Sequence, residues 1–160
     1  MLGIIPFSSQ YANGVVEVIL PIQQSEFDIP ITLAAQPDLQ DIPGFYQQGK
    51  GNFWIALDGQ DVVGTVALLD IGNNLAALRK MFVKATHRGR QQAVAKQLLD
   101  TLLTWCHTQG VLEVYLGTTA KFLAAHRFYE KNGFGEIMRD ALPTNFPVMA
   151  VDSRFYRRSL

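Results

Sequence analysis

A basic, glycine-containing loop directly precedes an apolar helical pattern, and its residue types are suited to binding an anion. A helix N-terminus leaves backbone N–H groups unpaired and carries partial positive charge, which favours a phosphate. Two arginines add forked donors, and two alanines allow close approach of the backbone. Read alone, the loop is better interpreted as a solvated surface turn, because it has neither the Walker nor the Rossmann glycine pattern. The candidate residues are Arg88, Gly89, Arg90, Gln91, Gln92, Ala93, Val94, Ala95 and Lys96.

Hydrophobic periodicity and turn residues predict the elements that position this loop. Strands are predicted at residues 3–7, 52–57, 62–70, 75–83, 111–119, 134–138 and 148–158. One helix is predicted to follow the potential caps Ser8 and Ser9 and to kink or end at Pro21, and a short helix opens at Pro37. Longer helices are predicted at residues 92–109, closed by Gly110, and at 121–133. Three hairpin-linked strands should pair antiparallel, and the strand–helix–strand unit at 75–118 must cross to a parallel neighbour, which gives a mixed sheet covered by helices.

Composition restricts the class of protein. The 160 residues fit one domain (1–160), and 48% hydrophobic with 18% charged residues indicates a folded chain. A net charge of zero argues against a dedicated nucleic-acid-binding protein. The single cysteine, Cys106, excludes an intrachain disulfide, and neither a signal peptide nor a membrane-length apolar run is recognisable. We expect a soluble cytoplasmic protein with no nucleic-acid or membrane partner, and the scattered histidines predict no metal site.

Two motifs and the element order over roughly residues 52–138 resemble the GNAT superfamily of N-acetyltransferases. The more specific motif, Ala-x-x-x-Tyr-x-x-x-Gly-Phe, occurs from Ala125 to Phe134. The weaker one, Arg/Gln-x-x-Gly-x-Gly/Ala, binds the coenzyme A pyrophosphate in that family and is read here from Arg90 to Ala95. The resemblance implies an α/β fold (an α+β mixed sheet), with a central, mostly antiparallel sheet of about seven strands flanked by helices. It also implies acetyl-CoA as co-substrate and no metal.

The pyrophosphate motif departs from the family pattern at one position. Aligned with the phase of the helix, the motif has Ala93 where glycine is usual; counted forward from Arg88-Gly89, it has Gln91 there. Alanine is tolerable if Ala93 is already helical, because only a positive φ needs glycine. Its methyl group should narrow the pyrophosphate cleft, so the departure predicts weaker or shifted coenzyme binding.

The resemblance further implies direct attack of a primary amine on the thioester. The backbone of Met81, Phe82 and Val83 would pair with the pantetheine arm, and the Met81 amide would stabilise the oxyanion. Tyr129 would be the general acid, since a phenol with a pKa of about 10 is protonated at neutral pH; alternatively, it only packs beside Phe128. Thr118 and Phe128 are further candidate coenzyme contacts, although the hydroxyls at positions 118 and 119 could equally cap the next helix.

The base and the acceptor stay open at this point. Many relatives carry a glutamate near the position of Ala77, which cannot act as a base, so a water chain or one of Glu26, Asp28 and Glu113 would serve. The family builds its acceptor site around residues 23–46 and 139–147, for a small-molecule or peptide amine, and its habit suggests a homodimer. Ala77 and Ala93 favour an alternative, a catalytically weak or inactive acyl-CoA-binding or regulatory module. An unrelated α/β protein with a phosphate loop is the third reading.

Overall fold

Seven strands form one mixed sheet in the part of the chain that the structure, a computed structural model, describes: residues 2–89 and 93–160. Their order is β1-β2-β3-β4-β5-β7-β6, and each pairing is antiparallel except that of β4 with β5. The predicted mixed, mostly antiparallel sheet and its parallel crossover are therefore confirmed. The strands are β1 (Leu2–Pro6), β2 (Asn52–Asp58), β3 (Asp61–Gly72), β4 (Leu75–Val83), β5 (Glu113–Thr118), β6 (Gly135–Ile137) and β7 (Arg154–Ser159).

Helices cover both faces of the sheet because the strand side chains alternate. On β2, Trp54 and Ala56 join a core with the helix at 94–109, whereas Phe53, Ile55 and Leu57 join a core with the helix at 12–21 on the other face. The helices are α1 (Ala12–Pro21), α2 (Pro37–Gln40), α3 (Ile42–Phe45), α4 (Val94–Gln109) and α5 (Leu123–Lys131), with short 3₁₀ turns at Ser9–Tyr11, Ala85–His87 and Arg139–Ala141 and a π turn at Ile22–Glu26. None of the helices among these residues has the length and apolar character needed to cross a bilayer.

Gly64 on β3 sets how closely α4 approaches the sheet. A Cβ atom at this position would lie 3.0 Å from a methyl group of Val94 and 3.1 Å from one of Leu98. The first turn of α4 therefore packs directly over β3, next to the end of β4. This contact places the N-terminus of α4 beside the strand that precedes it.

Several predicted boundaries differ from the structure. Helix α3 was not predicted; it forms because Asp41 accepts a hydrogen bond from the Gly44 amide at 3.0 Å. Ser8 precedes a 3₁₀ turn and makes no side-chain cap, and α1 ends at Pro21. Strand β7 begins at Arg154 rather than at residue 148, because residues 149–152 form a turn in which the Asp152 amide donates to the Met149 carbonyl at 3.0 Å.

Candidate active site

The parallel strands β4 and β5 part partway along their length and open a cleft. Only Leu75–Ala77 of β4 pair with β5, and their partners there are Glu113–Tyr115. Beyond that point a cavity of about 530 Å³ is walled by residues 78–83 of β4, residues 116–118 of β5 and helix α5. Residues 22–31 and 146–152 line its other side. Backbone groups on two diverging strands need partners, so the cleft is suited to an extended ligand that lies between the strands.

A β-bulge in β4 lies in the wall of this cleft. Phe82 pairs with Thr65 and Arg79 with Ala67, so Lys80 and Met81 together face a single residue of β3. Lys80 adopts a left-handed backbone conformation with φ of 55°. The Thr65 hydroxyl donates to the Lys80 carbonyl at 2.7 Å and fixes the bulge. A bulge redirects backbone groups out of the regular ladder, and Met81, the predicted oxyanion donor, lies within it and lines the cavity.

Buried polar side chains hold the Lys80 side chain beneath the bulge. Its Nζ donates to Gln36 Oε1 at 2.6 Å and lies 3.5 Å from Asp38 Oδ2. The Gln36 and Gln23 amides bond each other at 2.9 and 3.1 Å, and the Tyr46 hydroxyl donates to Asp38 at 2.6 Å. Burial lowers the pKa of Lys80, while Asp38 opposes that shift. The sequence does not predict this network, because the residues that bond each other in it are 8 to 44 positions apart along the chain.

Helix α4 presents an uncapped N-terminus to the cleft. Its first intrahelical bond runs from the Gln97 amide to the Ala93 carbonyl at 2.9 Å, so the amides of Val94, Ala95 and Lys96 have no intrahelical acceptor. Ala93 is the N-cap residue and supplies no side-chain hydrogen bond. Ala95 lines the cavity, and Lys96 is exposed and paired with Asp100 at 2.8 Å. Such a helix start is suited to an anion, and phosphate binding at these residues stays a prediction.

The condition under which alanine is tolerable at position 93, that the residue is already helical, is not met. Ala93 has φ of 48° and ψ of 44°, a left-handed conformation, and α4 begins at Val94 rather than at residue 92. The chain must reverse its direction there to enter the helix, which is why glycine would suit the position better. Gly89 also has a positive φ, 128°, and its carbonyl accepts from the Ala93 amide at 3.2 Å. The predicted ligands Arg90, Gln91 and Gln92 lie outside the described residues.

Arg88 is engaged within the protein. Its guanidinium forms a two-pronged ion pair with Glu26, and its Nε donates to the Val83 carbonyl at 2.8 Å. The hydrogen bonds from Arg88 lower the pKa of Glu26, which makes this carboxylate a poor base. Arg88 therefore joins the π turn to the end of β4, although its side chain also borders the cavity.

Tyr129 is buried in α5 and lines the cavity. Burial raises its pKa above the usual phenol range, so the hydroxyl stays protonated at neutral pH. Within residues 2–89 and 93–160 this hydroxyl has no hydrogen-bond partner. Every fully buried side-chain oxygen and nitrogen in that part of the chain does have a partner, so the hydroxyl must be accessible. It therefore opens into the cavity that Tyr129 lines. Thr118 and Phe128 line the same cavity, as do the predicted pantetheine-contacting residues Phe82 and Val83.

The three carboxylates considered as bases do not line the cavity; Asp152 does. Glu26 is bound to Arg88, and Glu113 lies at the far end of β5 beside Ser159 and Arg157. Asp28 likewise lies outside the cavity lining. Asp152 is the one carboxylate among the described lining residues, and burial raises its pKa. Sequence analysis had placed it inside a strand and so gave no reason to single it out.

Hydrogen bonds fix the position of helix α5. His126 Nε2 lies 3.0 Å from the Thr119 carbonyl, and the Arg154 guanidinium donates to His126 Nδ1 at 2.9 Å. The Thr119 hydroxyl accepts weakly from the Lys121 amide at 3.4 Å, in the turn before the helix. Among the described residues, no group of three His, Cys, Asp or Glu side chains could hold a metal ion.

Comparison with known proteins points to one family. The acetyltransferase (GNAT) family model matches residues 17–134. An N-acetylaspartate synthetase from Xenopus tropicalis is 36% identical over 108 residues, 65% of this chain and 38% of that protein, so the chain spans less than half of that relative's length. The crystal structure of a GNAT-family acetyltransferase from Staphylococcus aureus Mu50 is 42% identical, with a TM-score of 0.94 over 99% of both chains. The crystal structure of the PaiA N-acetyltransferase of Thermoplasma acidophilum in complex with coenzyme A is 17% identical to this chain. The match covers 100% of this chain and 99% of the PaiA chain with a TM-score of 0.74, so the two proteins share the fold.

Proposed function

The chain belongs to the acetyltransferase (GNAT) family, and on that premise we propose that it transfers an acetyl group from acetyl-CoA to a primary amine. One observation carries the proposal: the uncapped N-terminus of α4, the bulge at Lys80–Met81 and the Tyr129 hydroxyl all border a single cleft between β4 and β5. A diphosphate, a thioester carbonyl and a departing sulfur need these three kinds of group, respectively.

The described residues fit coenzyme A along the length of the cleft. The amides of Val94, Ala95 and Lys96 would bind the pyrophosphate, because they have no intrahelical acceptor and the helix dipole favours an anion. The diverging backbones of residues 81–83 and 116–118 would pair with the pantetheine arm. Relatives of this fold crystallised with coenzyme A support this assignment.

The reaction we propose is direct attack of the amine on the thioester carbonyl carbon. The Met81 amide donates to the oxygen on which negative charge develops, and the bulge holds this amide in place before the reaction. As the C–S bond breaks, the electron pair leaves on sulfur and Tyr129 supplies a proton to it. The raised pKa of Tyr129 keeps that proton in place until the thiolate forms.

Two features favour a second candidate, a coenzyme A-binding module with little or no turnover. Ala93 adopts a left-handed conformation that strains the start of α4. The resemblance to the family also implies a glutamate near the position of Ala77, and alanine cannot act as a base. Such a module would keep the cleft and the helix N-terminus but lack an efficient route for the proton of the amine.

Thiol release from acetyl-CoA separates the two candidates. The assay uses a panel of L-aspartate, L-glutamate, L-phenylalanine, spermidine and a lysine-containing peptide; L-aspartate is included because one relative is named for N-acetylaspartate. We expect saturable thiol release, above hydrolysis without amine, for at least one amine. Thermal stabilisation by coenzyme A with no thiol release would favour the binding module, and the absence of both effects would overturn both candidates.

A further inference from the structure

Asp152 is a carboxylate that faces the candidate active site from the loop before β7. It lies in the turn formed by residues 149–152 and lines the cavity together with Met81 and Tyr129. We propose that Asp152 binds the ammonium group of the acceptor and takes a proton from it. This inference rests on the proposed function, since it assigns the base of the same reaction.

The two oxygens of the Asp152 carboxylate have different environments. Oδ2 accepts a hydrogen bond from the Met149 amide at 2.9 Å, which closes the turn and fixes the direction of the side chain. Oδ1 has no hydrogen-bond partner within residues 2–89 and 93–160. Because no buried side-chain oxygen in that part of the chain lacks a partner, Oδ1 is accessible, and Asp152 lines the cavity. One oxygen therefore positions the group, and the other is available to an acceptor.

Gly117 on β5 allows the carboxylate to lie directly against the strand. A Cβ atom at position 117 would be 2.5 Å from Oδ2 and 2.7 Å from the Asp152 Cγ, closer than real Cβ contacts. Residues 116–118 of this strand line the cleft opposite the bulge that contains Met81. The glycine therefore leaves room for the carboxylate against the strand that walls the cleft.

Three cations face Asp152 from neighbouring elements. They are Arg79 and Lys80 on β4 and Arg139 in the 3₁₀ turn after β6, and each lowers the pKa of Asp152, but burial outweighs them and leaves it raised. Lys80 is held by Gln36 and Asp38, and Arg79 lies 4.0 Å from Asp38 and donates to the Met149 sulfur at 3.6 Å. A partly dehydrated carboxylate binds a cation strongly and is a stronger base than one in water.

The proton transfers balance as follows. A proton moves from the ammonium nitrogen to Asp152, which leaves a neutral amine whose lone pair forms the C–N bond. When the C–S bond breaks, Tyr129 protonates the sulfur, and the remaining excess proton on nitrogen replaces the one that Tyr129 gave. Asp152 then releases its proton to solvent. The products are an N-acetyl amide, the thiol of coenzyme A and one proton.

The test compares Asp152→Asn with the wild type, using whichever amine of the panel gives the highest kcat/KM. Asparagine keeps an oxygen for the Met149 amide, so the fold and the affinity for coenzyme A should be retained. At about pH 7 we expect kcat/KM to fall about 100-fold or more. The loss should shrink toward about pH 9.5, where more of the amine is neutral in bulk solution. The control Asp61→Asn removes an exposed carboxylate at the start of β3, outside the cavity, and should leave the rate unchanged.

A second variant, Gly117→Ala, tests the position of the carboxylate without removing it. The added methyl group must displace Asp152. We therefore expect the same fall in kcat/KM at about pH 7, and the same recovery toward about pH 9.5, as for Asp152→Asn. If Asp152→Asn lowers kcat/KM by the same factor at every pH, Asp152 has a structural role and the inference is overturned. A kcat/KM of this variant at pH 7 within twofold of the wild type would also overturn it. If the wild type itself releases no thiol with any amine, the proposed function fails, and the inference fails with it.

Discussion

The left-handed conformation of Ala93 makes a quantitative prediction about the start of α4. Ala93 has φ of 48° at the N-cap position, where a Cβ atom crowds the backbone. Replacing it with glycine should stabilise the protein, and glycine is also better tolerated than alanine at an N-cap. The outcome depends on which of two effects is larger: relief of the strain, or the greater freedom that glycine has in the unfolded chain.

The strain relief is the larger of the two effects. A left-handed alanine costs about 1–2 kcal/mol relative to the right-handed conformation. Glycine lowers the free energy of unfolding by about 0.4–1 kcal/mol, because it loses more backbone freedom on folding than alanine does. The Ala93→Gly variant should therefore gain about 0.5–1 kcal/mol, which for a chain of this size raises the Tm by roughly 1–4 °C.

Thermal unfolding of Ala93→Gly beside Ala95→Gly measures this effect. Ala95 lies two residues further on, inside the first turn of α4, where glycine should cost about 0.5–1 kcal/mol and lower the Tm. Both substitutions remove one methyl group, and Ala95→Gly also loses contacts with the core. A gain in stability at residue 93 is expected only from relief of the left-handed conformation. If Ala93→Gly lowers the Tm as Ala95→Gly does, residue 93 is not left-handed and the described start of the helix is wrong.

Three further substitutions test other parts of the site. Tyr129→Phe should lower kcat by about 100-fold with an unchanged Kd for coenzyme A, and an unchanged kcat would remove Tyr129 from the acid role. Thr65→Val removes the donor to the Lys80 carbonyl at nearly constant side-chain volume. We expect kcat to fall by up to about 100-fold and the free energy of unfolding to fall by about 1 kcal/mol. A kcat equal to that of the wild type would show that the bulge has no role in catalysis. Glu26→Gln removes the pair with Arg88. Folding lowers the pKa of Glu26, so the ion pair stabilises the protein fully at pH values above the ordinary carboxyl pKa of 4.5. This contribution is lost as the pH falls through the pKa of Glu26 in the folded protein. The difference in Tm between Glu26→Gln and the wild type should therefore vanish in acid.

The sheet was predictable where turns are encoded locally. Asp58-Gly59 and Gly72-Asn73-Asn74 mark the two hairpins, and Gly59, Gly72, Asn73 and Asn74 all have the positive φ that such turns require. Gly110 closes α4 with φ of 76°, as predicted. These signals depend on residues next to one another in the chain, which is why the extents of β2, β3 and β4 agree closely with prediction.

The chemistry of the cleft depends on distant residues, and less of it was predictable. Lysine has no local preference for a left-handed conformation in a strand; the bulge at Lys80 is held by Thr65 and Gln36, 15 and 44 positions away. Asp152 follows an apolar run that looks like a strand, and its direction depends on packing against Gly117. The roles of Met81 and of the loop residues 90–92, a homodimer and a cytoplasmic location stay predictions from the sequence and the resemblance.

Titration calorimetry with coenzyme A tests the central claim most directly, because it asks whether the cleft between β4 and β5 takes the coenzyme, whatever the acceptor is. We predict saturable binding of one coenzyme A per chain, with a negative heat-capacity change from burial of the apolar walls. A titration carried to millimolar coenzyme A without a saturable heat at two temperatures would contradict the account.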